Sequence, residues 1–372
     1  MHTELCDRFG IRYPIFVFTP SEKVAAAVTR AGGMGVLGCV RFNDAHELES
    51  VLCWMDDNTE GKPYGVDIVM PATVPTEGTS VDINQLVPQA HRDFVAKTLA
   101  DLGVPPLPGD GPGSEGVLGW LHSVARSHVD VALGHRISLI ANALGSPPPD
   151  VLEQAHGAGV PVAALAGTAA HARRHADNGV DIVVAQGYEA GGHTGEIASM
   201  VLVPEVVDAV GQTPVLAAGG IGTGRQVAAS LALGAAGVWM GSAFLTAAEY
   251  DLGVGGGQGR SVIQEALLAA TSSDTVRRKI YSGKPARLLK SRWTDAWDAE
   301  GAPEPLPMPL QNVLVAQAHQ RMAQSHDPTV VAMPVGQIVG RMNEIRPAAE
   351  IIAEFVSGFE AATRRLDGFR DT

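Results

Sequence analysis

Residues 214–245 read PVLAAGGIGTGRQVAASLALGAAGVWMGSAFL, and the fold turns on how this stretch is parsed. An apolar run, Pro214–Ala218, leads into Gly219-Gly220. A helical pattern follows over Arg225–Leu233 and stops at Gly234. A second apolar run, Gly237–Gly241, leads into Ser242. The order is strand, helix, strand, with glycine at both strand ends. A dinucleotide-binding fold asks for G-x-G-x-x-G after an early strand and an acidic residue about 20 positions later. Here the glycines read GGIGTG late in the chain, and position 240 is Met. The pattern fits instead the loops after the last two strands of a (β/α)8 barrel. There, small residues let backbone N–H groups meet phosphate oxygens, and a helix N-terminus adds a favourable dipole. The plainer reading, tight turns and nothing more, stands beside this one; two successive loops of the same character favour the phosphate.

Working outward, short apolar runs alternate with helical patterns along the chain, as repeated βα units and a parallel sheet require. Eight candidate strands are readable: Pro14–Thr19, Gly35–Val40, Gly65–Met70, Ile137–Ala143, Pro161–Ala166, Asp181–Gln186, Pro214–Ala218 and Gly237–Gly241. Val24, Ala27, Val28 and Ala31 sit at helical spacing before the Gly32-Gly33 stop, and Val151–His156 forms another helix after Pro-Pro-Pro-Asp. Eight units is the number of a (β/α)8 TIM barrel, preferred here over a doubly wound open sheet. Such a barrel needs roughly 250 residues, so part of the 372-residue chain lies outside it. Two loop-rich stretches break the rhythm. The expected division is a barrel from 1–71, 115–248 and 330–372, with 72–114 and 249–329 inserted as a cap or substrate region, including a helix near Ser261–Thr271. Both insertions follow strand C-terminal ends, where they act as lids or substrate walls or, more plainly, as surface elaboration.

Composition narrows the class. Hydrophobic residues make up 45% of the chain, enough for a large core. No apolar run approaches the ~18 residues of a membrane span, and MHTELCDRFGIRYPIF is too charged for a signal peptide; the expectation is a cytoplasmic protein with no membrane partner. Three cysteines, Cys6, Cys39 and Cys53, without a CxxC support neither a disulfide framework nor a Cys-rich zinc site. A net charge of −13 argues against nonspecific nucleic-acid binding, but a local backbone nest still binds an anion.

A second signal is AQGYEAGGHTG, residues 185–195, at the end of the sixth strand. Glycines flank His193 on both sides and strip away neighbouring side chains, leaving an imidazole projecting from the catalytic face. Histidine gives or takes a proton near neutral pH, although a lone histidine is more often structural. Glu189 either orients this loop or is a solvated surface carboxylate. His171 and His175, four apart in HARRH, read as a solvated face, since Arg173 and Arg174 disfavour a cation. No metal site is expected, and there is no G-x-S-x-G elbow.

These two segments resemble the nitronate monooxygenase family, formerly 2-nitropropane dioxygenases, which are FMN-dependent barrels. The resemblance extends to YPIFVFTPSEKVAAAVTRAGGMGVLG, KPYGVDIVMP, SLIANALGSPPPDVLEQAHGAGV, YSGKPAR (281–287) and PVGQIVGRMNEIRPAAEII, and so spans nearly the whole chain. It implies an FMN-dependent oxidoreductase that oxidises alkyl nitronates with O2. Gln186 and Gly187 would flank the flavin; Gly219, Gly220, Gly241 and Ser242 would hold its phosphate; Gln337 would approach the ring. Phe18, Thr19, Asp67, Gly192 and Ala218 complete the cofactor-contacting set. His193 matches the family's base, which removes a proton from the carbon bearing the nitro group. The sequence departs from the family in two places. Phe18-Thr19-Pro20-Ser21 stands where a Pro-Met-Ala-Gly type sequence is common. Asp67 stands where the family has an Asn contacting the flavin, and a carboxylate has no donor to offer there. The same glycine motifs occur in flavin-dependent enoyl-thioester reductases. An NAD(P)H-dependent reductase of enones or enoyl thioesters, with the imidazole as proton donor, is therefore the second reading; a non-catalytic flavin-binding scaffold is the third. The partners expected are a small-molecule substrate with O2 or NAD(P)H, and a homodimer stays open.

Overall fold

The computed structural model describes residues 1–70, 83–107, 122–251 and 261–369. Parts of both expected insertions, residues 72–82, 108–114 and 252–260, lie outside that range. Eleven strands occur in the described chain: β1 Ile15–Thr19, β2 Met34–Gly38, β3 Tyr64–Asp67, β4 Ile137–Asn142, β5 Val162–Ala166, β6 Ile182–Gln186, β7 Gly192–His193, β8 Val215–Ala218, β9 Gly237–Met240, β10 Thr275–Arg278 and β11 Ala286–Leu289. Eight of them, β1-β2-β3-β4-β5-β6-β8-β9, close a parallel barrel, and β9 returns to β1 through Ile15↔Val238 and Phe16↔Trp239. The fold is thus a (β/α)8 TIM barrel. The other three strands make a small antiparallel sheet in the order β10-β11-β7.

Two-residue alternation sorts the strand side chains. Phe16, Met34, Val36, Leu139, Ala141, Ala163, Ile182, Val184, Leu216, Ala218 and Trp239 pack together inside the barrel. The helix Glu4–Phe9 closes its N-terminal end with Leu5, Cys6 and Phe9, Phe9 meeting Phe16 edge-on at 5.6 Å. Intervening residues such as Val17, Val183, Val215 and Val238 face outward to the helices. Gly35 shows why small residues recur there: a Cβ would run into the Ala25 backbone, so β2 and the helix Glu22–Arg30 approach at main-chain distance.

β2 and β3 end sooner than their apolar runs suggest. β2 ends at Gly38, and Cys39–Arg41 turns in a 3₁₀ step. β3 ends at Asp67, after which Met70 N–H is held by Asn142 Oδ1 at 3.0 Å. The helix expected near Ser261–Thr271 spans Val262–Ala269, opened by a Ser261–Gln264 capping box. Over the barrel, the helices Gln89–Asp101, Arg292–Asp298 and Leu310–Gln324 share an apolar cluster that includes Val95, Leu99, Trp293, Trp297, Val315 and Met322. Every member of that cluster comes from 87–104 or 280–332. Among the described residues, no helix is long and apolar enough to cross a membrane.

Candidate active site

In a parallel barrel the chemistry sits at the C-terminal strand ends. Alternation places Phe18, Gly38, Asp67, Gln186 and Ala218 in the uppermost inward layer of that end, with Gly38 opposite Asp67 and Gln186 opposite Ala218. Phe18 lies across Gly38, where a Cβ would come within 2.9 Å of its ring. Four of the residues expected around a cofactor are therefore brought to one floor. Thr19 is not: it faces outward, and its Oγ1 accepts from Ser21 N–H at 3.1 Å.

The glycine loops surround this floor. Gly219 and Gly220 take φ of +93° and +71°, a left-handed backbone that favours glycine. Gly241 sits at φ −135°, and a Cβ there would meet only Phe18 at 3.5 Å or more. Ser242 Oγ accepts from Gly336 N–H at 2.8 Å, and Gln337 N–H donates to Glu189 O at 2.9 Å. The late segment carrying Gln337 is thereby drawn between the loops after β6 and β9. Gly187 has a packing reason of its own, since a Cβ would overlap Ser199 Oγ. Glu189 is no solvated carboxylate. Its oxygens accept from Ser199 N–H at 3.0 and 3.2 Å, capping the helix Ser199–Val210 and tying the β6 loop to it.

His193 is not simply at the end of β6. It sits in β7, where it pairs with Ala286 of β11, and Gly192 pairs with Arg287. Two arginines hold the loop on either side. The buried Arg287 donates Nε and Nη2 to Tyr188 O at 3.2 and 2.9 Å and stacks on the Tyr188 ring. Arg277 donates Nη2 to Thr194 O at 2.9 Å. His193 Nε2 lies 2.5 Å from the Oγ of buried Ser282, and its ring meets Tyr281 edge-on at 6.4 Å. Tyr281 in turn stacks on His319 at 5.0 Å. Burial lowers the His193 pKa to about 4, with Lys284 adding to the effect, so the imidazole is neutral near pH 7.

Two observations bear on whether a flavin suits this place. Asp67 is 1% exposed and its Oδ1 has no partner, although a buried polar atom ordinarily finds one. Burial pushes its pKa up to about 7, so near neutrality the side chain is partly a carboxylic acid with a proton to donate. Gly219, Gly220 and Gly241 carry no side chains of their own; the Cβ positions of the first two face Ser199, Ala190 and Glu189, and that of Gly241 faces only Phe18. A phosphorylated, planar, polar-edged cofactor fits both features. Above the floor, Tyr250 OH and His319 Nε2 are also buried without partners.

Sequence reasoning missed Tyr250, Tyr281, Ser282, Arg287 and His319. The motif YSGKPAR contains three of them and was the available signal, but it assigns no roles; nothing local marks Tyr250 or His319. His175, expected on a solvated face, is buried, with Nδ1 2.7 Å from Ser146 Oγ and Nε2 3.1 Å from Leu165 O. Both nitrogens serve the fold.

Known proteins resemble this arrangement over its full extent. A Mycobacterium tuberculosis protein with a provisional name as a monooxygenase is 47% identical, covering 99% of each chain. The solved nitroalkane oxidase of Streptomyces ansochromogenes superposes with a TM-score of 0.78 at 26% identity, covering 97% of this chain and 99% of that one. FabK from Thermotoga maritima superposes at 0.75 and 25% identity, covering 99% of each. The family model for nitronate monooxygenase matches residues 3–358, and the chain therefore belongs to the nitronate monooxygenase family and is an oxidoreductase.

Proposed function

We propose that the protein is an FMN-dependent enzyme that oxidises alkyl nitronates with O2, with His193 as the base that admits neutral nitroalkanes. The observation that carries this reading is the state of His193: neutral by burial, fixed on Ser282, and held by two arginines over the barrel mouth. Gly219, Gly220, Gly241 and Ser242 would hold the phosphate of FMN. Phe18, Asp67, Gln186 and Ala218 would floor its ring, with Gly187, Gly192 and Gln337 beside it and Thr19 supporting the β1 loop. Bound FMN supplies the redox chemistry. The chain's own contribution is orientation, a proton acceptor and exclusion of water. When the Ser282 hydroxyl turns its proton to Lys284 O, 3.5 Å away, it accepts from His193 Nε2–H. Nδ1 is then the basic atom that takes the proton from the carbon bearing the nitro group. The residues of 87–104 and 280–332 act as the cap that keeps this step dry.

The enoyl-thioester reductase reading rests on motifs common to both groups and on a likeness to FabK nearly as close as that to the oxidase. It asks the imidazole to donate a proton. Burial holds its pKa down to about 4, so the second proton is scarce at pH 7, which disfavours that role.

His193→Asn separates the readings. Turnover of the neutral nitroalkane should fall about 10²–10⁴-fold, the usual contribution of a positioned base. Turnover of the nitronate, already deprotonated, should be largely spared, and flavin content should not change. Anaerobic mixing should bleach bound flavin with nitronate but not with NADH or NADPH. Bleaching only by a nicotinamide, or equal activity of variant and parent on both substrate forms, overturns the proposal.

A further inference from the structure

The opposite end of the barrel carries a second constellation. The helix Ala45–Asn58 places Glu49 and Cys53 four residues apart on one face, and His135 reaches the same point from the turn leading into β4. His135 Nε2 lies 3.2 Å from Glu49 Oε2, and Cys53 Sγ lies 3.9 Å from Glu49 Oε1. One donor atom from each of the three falls within 4.8 Å of the others. A tetrahedral zinc with its usual bond lengths sets imidazole nitrogen and carboxylate oxygen about 3.4 Å apart, and sulfur and oxygen about 3.6 Å apart. The observed spacings, 3.2 Å and 3.9 Å, run to different oxygens of the Glu49 carboxylate, so a seated cation would draw one of those oxygens towards both partners.

The stronger observation is what stands behind the histidine. The His135 side chain is 8% exposed, and Asp56 Oδ2 lies 2.8 Å from its Nδ1. Tyr64 OH donates to the other Asp56 oxygen at 2.9 Å, fixing that carboxylate in turn. In the tautomer that donates Nδ1–H to Asp56, the Nε2 lone pair faces Glu49 and is free for a cation. A carboxylate behind the far nitrogen is the arrangement that orients metal-bound histidines and raises their basicity.

We propose that Glu49, Cys53 and His135 form a binding site for a borderline-soft divalent cation of the zinc type, with Asp56 holding the histidine through Nδ1 and water as the fourth ligand. Thiolate, imidazole and carboxylate together select Zn²⁺ or Co²⁺ over Mg²⁺ or Ca²⁺, which prefer oxygen alone. The site lies at the N-terminal end of the barrel, away from the strand ends that carry His193. Its effect is therefore structural: it pins the helix Ala45–Asn58 to the start of β4. Its donors are mixed and spread from residue 49 to residue 135, so no cysteine-rich spacing marks it in the sequence.

Co²⁺ is the direct probe. The flavin-loaded protein, first stripped with a chelator, should bind one equivalent of Co²⁺ with a thiolate-to-cobalt charge-transfer band, and Zn²⁺ should displace it and raise the melting temperature. Cys53→Ser, at an exposed position that the fold tolerates, should abolish the band. Glu49→Gln should weaken binding, and Asp56→Asn should weaken it about 10–100-fold. Nitronate turnover should be the same in Cys53→Ser as in the parent. Absence of stoichiometric binding, a complex lacking the thiolate band, or an affinity unchanged in both Cys53→Ser and Glu49→Gln would show a hydrogen-bonded surface cluster only and would overturn the proposal.

Discussion

Lowering the pH from 7 to 5 should destabilise this protein, by an amount set by two opposing groups of buried residues. Burial lowers the pKa of His193 and of His319 to about 4, against about 6.5 in an unfolded chain. The unfolded state takes up these protons first. The stability conferred by the neutral imidazoles is therefore complete above pH 6.5 and drains as pH falls towards 4. At pH 5 the loss is about 2 kcal/mol for each, or about 4 kcal/mol for the pair. Burial lowers His128 and His175 as well, and both add to the loss. Asp67 works the other way. Its pKa is raised to about 7, so the folded state takes up its proton first and gains about 2 kcal/mol between pH 7 and pH 5. Asp274, Asp298 and Asp327 titrate below the ordinary carboxylate value and are silent in this window. The net expectation is a loss of about 2 kcal/mol or somewhat more, a large share of a typical 5–15 kcal/mol. Urea midpoints at the two pH values measure it. Asp67→Asn removes the compensating term and should roughly double the loss. His319→Phe, which keeps the stack on Tyr281, should reduce it by about 2 kcal/mol. If Asp67→Asn is as stable at pH 5 as at pH 7, or loses no more than the parent, the assignment of these buried charges is wrong.

Other expectations follow from the same geometry. Gly241→Val adds a side chain where only Phe18 lies in ordinary contact, so the melting temperature should hold while FMN occupancy, read from flavin absorbance, drops. Retention of full flavin would make Gly241 a turn residue alone. Gly220→Val is a poorer probe, because φ of +71° strains any side chain whether or not a phosphate binds. Arg287→Met should cost about 2–4 kcal/mol in urea unfolding, since the bonds to Tyr188 O and Thr275 Oγ1 go together. It should also slow nitronate turnover, because the β7 loop loses a clamp. Unchanged stability would show that β11 pairing alone holds the loop.

The barrel was readable because its information is local. Each βα unit announces itself by an apolar run, a glycine stop and a change of period, and eight such units leave few alternatives. Four of the eight barrel strands end one to three residues before the expected position, the others where expected; apolar composition continues into positions such as Cys39 and Ile68, whose side chains are buried beyond the last ladder pair. The setting of His193 was not local. Its hydrogen-bond partner, Ser282, is 89 residues further along the chain. Two further neighbours, Tyr281 and Lys284, come from the same distant stretch. Asp67 lies between these cases. The sequence marks it as a departure and draws the consequence that a carboxylate offers no donor. That inference holds for an ionised group, and the protein supplies what the residue type lacks. One more inward position on β3, above Gly65 and opposite Ala141, takes the carboxyl out of water with no cation against it. With its pKa raised to about 7, the side chain has both forms within reach near neutral pH and presents a donor only when protonated, where an amide always does so. An Asn at this position fixes the floor of the site in one state; an Asp leaves it with two, separated by a single proton.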